Sequence, residues 1–302
     1  MQSNGIGIVS PGDMGHSIGQ VLGEHGVRVL ACLNGRSRRT QVLAGEAKIC
    51  TVESYDELVR STSMILSIVV PGQAWRAAED ISAAIARTSM PVLYVDCNAI
   101  SPTQVGDIAQ LIQAAGGRFA DASIIGPPPR NGGNPTLLVS GSDTEPVERL
   151  RSHGIEVKQI GGEIGLASAA KMCFAGIPKA FIALWAEILT AADILGVWEI
   201  LLQQVQYRLP DWSKYMREAL PSMLPKSKRW VTEMEEIART LEMVGLTPKM
   251  LEGSAEVYRM VSQSRLSNRT IESDMPMPSL KAMIKDLCTL AGSSKEDHIS
   301  CQ

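Results

Sequence analysis

The strongest constraint on how this chain folds is a short apolar run that leads through a glycine-bearing loop into a helical pattern. Ile6-Gly7-Ile8-Val9 reads as a buried strand and Ser10-Pro11-Gly12-Asp13-Met14-Gly15 as a tight loop. Met14, Ile18, Val21 and Leu22 then recur at helical spacing. Gly26 ends that helix, and residues 27–33 read as the next strand. Further strands are expected at 64–70, 92–96 and 137–140, and helices at 56–61, 74–87 and 102–115. Strands that alternate with helices build βαβ units, so the first half is predicted to be an α/β domain with a mostly parallel sheet.

The second half has a different texture. Residues 166–195 are rich in alanine and apolar on most sides, which predicts one long helix in a core or at a subunit interface. Pro178 lies inside this stretch and lacks an N–H, so it is expected to kink or split the helix. Residues 212–220, 228–244 and 248–262 carry further helical patterns. The expected organisation is an α/β domain over residues 1–162 and an all-α domain over residues 163–302.

A chain of 302 residues accommodates two such domains. Its net charge of -3 implies no basic face, so nucleic acid is not an expected partner. The six cysteines show no metal-ligand spacing; no metal is expected, and they read as reduced thiols of a cytoplasmic protein. The first strand begins too early to leave room for a signal peptide. The sequence has no unbroken run of eighteen apolar residues, so no membrane span is expected.

Set between a strand and a helix, the loop Ser10 to Gly15 has the chemistry of a dinucleotide site. Gly12 lets the backbone approach a pyrophosphate, and Gly15 lets the helix pack against the strand. The helix start at Asp13 and Met14 offers free N–H groups and a positive dipole end. Ser10 stands where the GxGxxG pattern has its first glycine, and an ordinary βα turn is the plain alternative. About 20 residues on, an NAD site carries Asp or Glu for the ribose 2′-hydroxyl. Here the chain has Asn34-Gly35-Arg36-Ser37-Arg38-Arg39-Thr40. Guanidinium groups and hydroxyls suit a 2′-phosphate, so NADP is expected, contacted by Asn34, Arg36, Ser37 and Arg39. The alternative is a solvated basic loop.

Lys171 is the only charged residue from Ile164 to Pro178. Apolar surroundings disfavour a charged ammonium and lower its pKa, which fits proton exchange with a substrate as hydride moves. The alternative is a lysine whose head reaches the surface. Residues 96–102 and 121–129 read as loops after strands, and ligands of open α/β sheets bind beyond the C-terminal strand ends. Asn98 offers an amide to a nicotinamide or substrate group. Turn chemistry alone is the other reading of both loops. Arg130 and Arg229 are candidates for an acidic substrate group, or surface residues.

These segments carry a resemblance. Asp96-Cys97-Asn98-Ala99-Ile100-Ser101-Pro102, Asp121-Ala122-Ser123-Ile124-Ile125-Gly126-Pro127-Pro128, Lys171 on its helix, and Arg229-Trp230-Val231-Thr232-Glu233-Met234-Glu235-Glu236-Ile237-Ala238 are similar to motifs of the β-hydroxyacid dehydrogenases. That group includes the 6-phosphogluconate and 3-hydroxyisobutyrate dehydrogenases, and the chain looks closest to the branch with a DUF1932-type C-terminal domain. The resemblance covers nearly the whole chain. It implies a Rossmann-like domain followed by a helical domain, assembled as a homodimer. It also implies that Lys171 is the catalytic acid/base, that Asn98 lies near the nicotinamide, and that Val70 and Pro71 border the cofactor. Ile125, Gly126 and Pro127 match the family's substrate loop, and Trp230 and Met234 belong to the motif expected on the substrate side.

Two departures bear on the substrate. Better-known members carry asparagine one turn after the lysine, where this chain has Phe174 and Ala175. Their Ser-Gly-Gly is matched here by Ile125, Gly126 and Pro127. Both changes remove polar contacts to a hydroxyacid carboxylate, so neither a small 3-hydroxyacid nor 6-phosphogluconate is the expected substrate. Lys179 points about 80° away from Lys171 on an ideal helix and reads as a separate contact. The leading reading is an NADP(H)-dependent oxidoreductase acting on a carbonyl/alcohol pair. An imine reductase resembles the same two-domain fold; the apolar loop favours it and the lysine argues against it. A non-catalytic NADP-binding sensor is the third reading.

Overall fold

The computed structural model describes residues 5–129, 133–268 and 277–299. The first half alternates strand and helix, as its apolar runs require. In order it contains β1 (Gly5–Ile8), α1 (Asp13–Glu24), β2 (Val29–Cys32), α2 (Arg38–Glu46), β3 (Cys50–Val52), α3 (Tyr55–Ser61), β4 (Thr62–Ser67), α4 (Ala74–Thr88), β5 (Leu93–Asp96), α5 (Pro102–Ala114), β6 (Arg118–Ile125), β7 (Thr136–Ser140), α6 (Glu145–Glu148) and β8 (Glu156–Gly161).

The strands form one sheet in the order β3-β2-β1-β4-β5-β6-β7-β8. Strands β1 to β6 run parallel, β7 turns antiparallel to β6, and β8 is parallel to β7. Successive residues of a strand point to opposite faces. Leu66 and Val95 accordingly join one core and Ile65 and Tyr94 the other. Both faces are covered, which is why these strands read as continuous apolar runs rather than alternating ones. Chain order reverses between β1 and β4, so their C-terminal ends flank a crevice at the switch point.

The helices of the second half are α7 (Leu166–Ile194), α8 (Trp198–Arg208), α9 (Pro210–Ala219), α10 (Ser227–Met243), α11 (Lys249–Gln263) and α12 (Leu280–Ile299). The chain separates into two compact units between Cys173 and Phe174, inside α7. Helix α7 runs unbroken through Pro178, so of the kink or split expected there the split does not occur. Proline removes one hydrogen bond, and its acceptor would have been the carbonyl of Phe174, a residue more than half exposed to water. A single lost bond does not undo a helix of 29 residues. By length and composition alone α7 is also long and apolar enough to cross a membrane, and 39% of its most apolar stretch is buried within the chain.

The structure corrects one loop. Residues 121–125 are not a loop but the end of β6, paired along their length with β7 and, at Asp121, with β5 as well. Pairing with β7, from Asp121↔Ser140 to Ile125↔Thr136, is a tertiary effect that local pattern does not report.

Candidate active site

The loop after β1 lies at the C-terminal edge of the parallel sheet. Its form depends on a close approach at Gly15. A Cβ there would stand 2.6 Å from the Ser10 carbonyl oxygen and 3.3 Å from Ile8 Cγ2, so only glycine lets α1 seat against the strand. Gly12 is the opposite case. It caps α1 in an extended conformation, and a Cβ would meet nothing within 4 Å. The Ser10 carbonyl accepts the Gly12 N–H at 2.8 Å, which closes the turn. Asp13 and Met14 open the helix and are partly exposed. Open space before a helix N-terminus fits the phosphates of a dinucleotide.

The second loop, after β2, is tied down by its neighbours. Gly35 has a φ of +72°, a left-handed turn that favours glycine. Ser37 caps α2 by accepting the Thr40 N–H at 3.2 Å. The arginine cluster read as a loop therefore includes the first turn of a helix, and Arg38 and Arg39 project from it. The Asn34 side-chain amide donates to the Glu53 carbonyl. Arg36 Nη2 donates to the Tyr55 hydroxyl at 2.7 Å, while its buried Nε has no acceptor among the described residues. Arg39 Nη2 lies 3.8 Å from Asp13 Oδ1, so the two loops meet through opposite charges. No carboxylate stands at the end of β2. This donor set fits a 2′-phosphate.

Beyond β4, Val70 is half exposed, while Pro71 is buried and begins a short turn. Asn98 is buried, and its side chain is fully engaged. Its Oδ1 accepts the Val69 N–H at 2.7 Å, and its Nδ2 donates to Ser67 Oγ at 3.1 Å and Asp96 Oδ2 at 3.0 Å. The amide ties the end of β4 to the end of β5 rather than lying open in a cleft. Asp96 also accepts the Asn98 N–H at 2.9 Å. Burial pushes the Asp96 carboxyl up to about 7, against the pull of these Asn98 hydrogen bonds. Asp121, its register partner on β6, adds to the rise.

Lys171 sits in the second turn of α7, partly buried. Its Nζ donates to the Ile124 carbonyl at 2.6 Å. That carbonyl belongs to the last turn of β6, at the same sheet edge as the Gly12 loop. Asp121, fully buried, holds the helix start in place. Its Oδ2 accepts the Gly165 N–H at 2.9 Å, the Ser168 N–H at 3.1 Å and the Ser140 hydroxyl at 3.1 Å, and its Oδ1 accepts the Ser168 hydroxyl at 2.7 Å. The Ala167 N–H donates to Ser140 Oγ at 3.1 Å. This role of Asp121 is not legible in the sequence, because its partners on the helix, Gly165 and Ser168, lie more than forty residues away. Ile125 ends β6, and Gly126 and Pro127 follow on the surface, with Gly126 at a φ of +118°.

Within the helical unit, Lys179 Nζ pairs with Glu233 Oε2 at 2.6 Å, both side chains being largely buried, and Arg229 Nε reaches Glu233 Oε1 at 3.0 Å. The Lys179 and Lys226 ammonium groups lie 5.9 and 5.6 Å from the centre of the Trp230 ring. Trp230 packs edge-on against Tyr258, whose hydroxyl donates to the Lys179 carbonyl at 2.6 Å. Trp230 and Met234 are thus core residues of this unit, with Met234 fully enclosed. Arg130 lies outside the described residues. Among the described residues no cluster of His, Cys, Asp or Glu could hold a metal ion.

Comparison with known proteins accords with this geometry. Residues 5–153 match the NAD binding domain of 6-phosphogluconate dehydrogenase, and residues 192–261 match a domain of unknown function (DUF1932). A conserved protein of unknown function, described as structurally similar to 3-hydroxyacid dehydrogenases, is 31% identical, with a TM-score of 0.66 over 87% of this chain and 98% of that one. The Mycobacterium tuberculosis 3-hydroxyisobutyrate dehydrogenase, solved with L-serine, is 17% identical, with a TM-score of 0.65 over 95% and 99% of the two chains. An imine reductase from Myxococcus stipitatus, solved with NADP+, is 15% identical, with a TM-score of 0.55 over 84% and 93%. The latter two likenesses bear on the fold alone.

Proposed function

Because the chain belongs to the 6-phosphogluconate dehydrogenase-like family, with that family's NAD-binding domain and a DUF1932 C-terminal domain, we propose that it is an NADP(H)-dependent oxidoreductase acting on a small carbonyl/alcohol pair. When bound, the nicotinamide supplies or accepts the hydride. Backbone N–H groups of Ser10, Asp13, Met14 and Gly15 hold the pyrophosphate, and Gly12 leaves the space it occupies. Asn34, Arg36, Ser37 and Arg39 form the edge that takes the 2′-phosphate. Val70 and Pro71 border the nicotinamide, and Asn98 acts there by fixing the ends of β4 and β5. Ile125, Gly126 and Pro127 line the substrate side.

The observation that carries this reading is Lys171 against the Ile124 carbonyl. A carbonyl accepts a hydrogen bond but cannot take the proton. It holds the ammonium at the end of β6, the edge of the sheet where a substrate would meet the nicotinamide. Lys171 donates a proton in reduction and accepts one in oxidation. Lys171→Met is expected to lower kcat by on the order of a hundredfold or more while leaving NADPH affinity within about twofold. Wild-type turnover in that variant refutes the role. The cofactor assignment is tested separately by kcat/KM with NADPH and NADH, where equal values refute it. Phe174 and Ala175 beyond the lysine also support an imine substrate, so cyclic imines belong beside carbonyl compounds in the substrate panel. NADPH binding without turnover on either set would identify a sensor.

A homodimer is part of the same proposal. Phe174, Ile177, Phe181, Leu184 and Ile188 recur at spacings of three and four on α7 and are exposed in the single chain. An apolar stripe of this kind is buried by a second copy.

A further inference from the structure

We infer that Tyr55 is a positioning residue that sets the cofactor's selectivity by holding the Arg36 guanidinium for a 2′-phosphate. The inference rests on the NADP reading above and adds a residue that no motif contains. Arg36 leaves the β2–α2 loop, and Tyr55 opens α3 across from it. Their hydrogen bond, 2.7 Å from Nη2 to the hydroxyl, is a side-chain tie between the two loops. A second tie, from the Asn34 amide to the Glu53 carbonyl, joins the same pair of loops two residues earlier on each.

An arginine on an exposed loop samples many rotamers, and binding a phosphate must select one. Here the selection is already made. The Tyr55 ring is half-buried against the core beside α4, so its hydroxyl is a fixed acceptor. Burial raises the phenol's pKa, with Arg36 opposing the rise, so Tyr55 stays a neutral hydroxyl near pH 7. A neutral acceptor orients the guanidinium without neutralising it. An aspartate or glutamate there would satisfy the charge internally and compete with the phosphate. The Arg36 backbone is held as well: its N–H donates to the Leu33 carbonyl at 3.0 Å, and its carbonyl accepts from Gln41 Nε2 at 3.0 Å. The guanidinium remains short of acceptors, since its buried Nε has none among the described residues. Buried donors left unmet by the chain are rare, and a group aligned yet unsatisfied suits an anion brought from outside.

The test compares 2′,5′-ADP with 5′-AMP by calorimetry on the full chain, in wild type and Tyr55→Phe. Phenylalanine keeps the ring packing and removes only the acceptor. Wild type is expected to prefer 2′,5′-ADP strongly. Tyr55→Phe is expected to reduce that preference about tenfold, the scale of one hydrogen bond to a charged group, with 5′-AMP affinity and Tm nearly unchanged. Undiminished preference in Tyr55→Phe overturns the inference. So does an equal loss of affinity for both ligands, which marks a purely structural role. A wild type that binds the two ligands equally defeats the NADP reading itself, a result separable from the other two.

Discussion

Gly12 and Gly15 lie three residues apart in one loop, yet replacing each with alanine should fail in opposite ways. At position 15 the new Cβ falls 2.6 Å from a backbone oxygen, that of Ser10, which is already fixed by the Gly12 N–H. No side chain can swing aside, so α1 must lift from β1. Overpacking of this kind costs about 2 kcal/mol. In a unit of this size that lowers Tm by roughly 4–8 °C. At position 12 the Cβ meets nothing, and a φ of -75° with a ψ of -158° suits alanine. The cost there is confined to alanine's weaker capping, under about 1 kcal/mol. The added methyl instead occupies the space reserved for a pyrophosphate, and NADPH affinity should fall by on the order of a hundredfold. Scanning calorimetry of the ligand-free protein and titration calorimetry with NADPH separate the two effects. The reasoning fails if Gly12→Ala binds NADPH like wild type, or if Gly15→Ala keeps the wild-type Tm.

Other expectations concern stability and assembly. The Asp96 carboxyl, raised to about 7 in the fold from an ordinary 3.8, favours the folded state fully only below about pH 4, and that contribution is lost as pH rises through 7. Between pH 5 and 8 the loss is roughly 2–3 kcal/mol; urea unfolding of Asp96→Asn should show a flatter pH slope than wild type, and an unchanged slope contradicts the assignment. Lys179→Met removes the largely buried ammonium paired with Glu233, so a loss of about 3 kcal/mol is expected in chemical denaturation, and a loss below 1 kcal/mol would mean the pair is not buried as described. Phe181→Asp together with Leu184→Glu should convert a dimer to monomers in analytical ultracentrifugation, and a monomeric wild type refutes the proposed assembly.

The parts of the site that sequence disclosed are those built from neighbours along the chain. Ser10 to Gly15 needs only a strand, a turn and a helix in succession, and the uncharged surroundings of Lys171 are visible in fifteen residues. The parts it concealed are built across the chain. Strands β3 and β8 are edge strands whose form comes from pairing, not from pattern. The helix α2 hides behind its arginines because its capping residue, Ser37, looks like one more loop hydroxyl. Asn98 offers an amide to a ligand by its position in the sequence, but three partners from two strand ends consume it. Tyr55 carries no motif at all and gains its role only by facing Arg36. Pro178 shows the converse: a strong local signal for a break is overruled by the long helix around it.

The carboxylate of Asp121 gives the position of Lys171 a history. Helices often cap themselves with a residue just before their first turn. The start of α7 instead takes its acceptor from the middle of the sheet, and that acceptor is also bound by Ser140 of β7. Contacts of such long sequence separation form late, because the loop between them must close first. A chain caught after its helices have formed but before β6 and β7 have paired would already contain the lysine and its helix. It would lack the Ile124 carbonyl that aims the ammonium. The orientation that the proposed proton transfer requires of Lys171 therefore depends on the completed sheet, through the same carboxylate that anchors the helix.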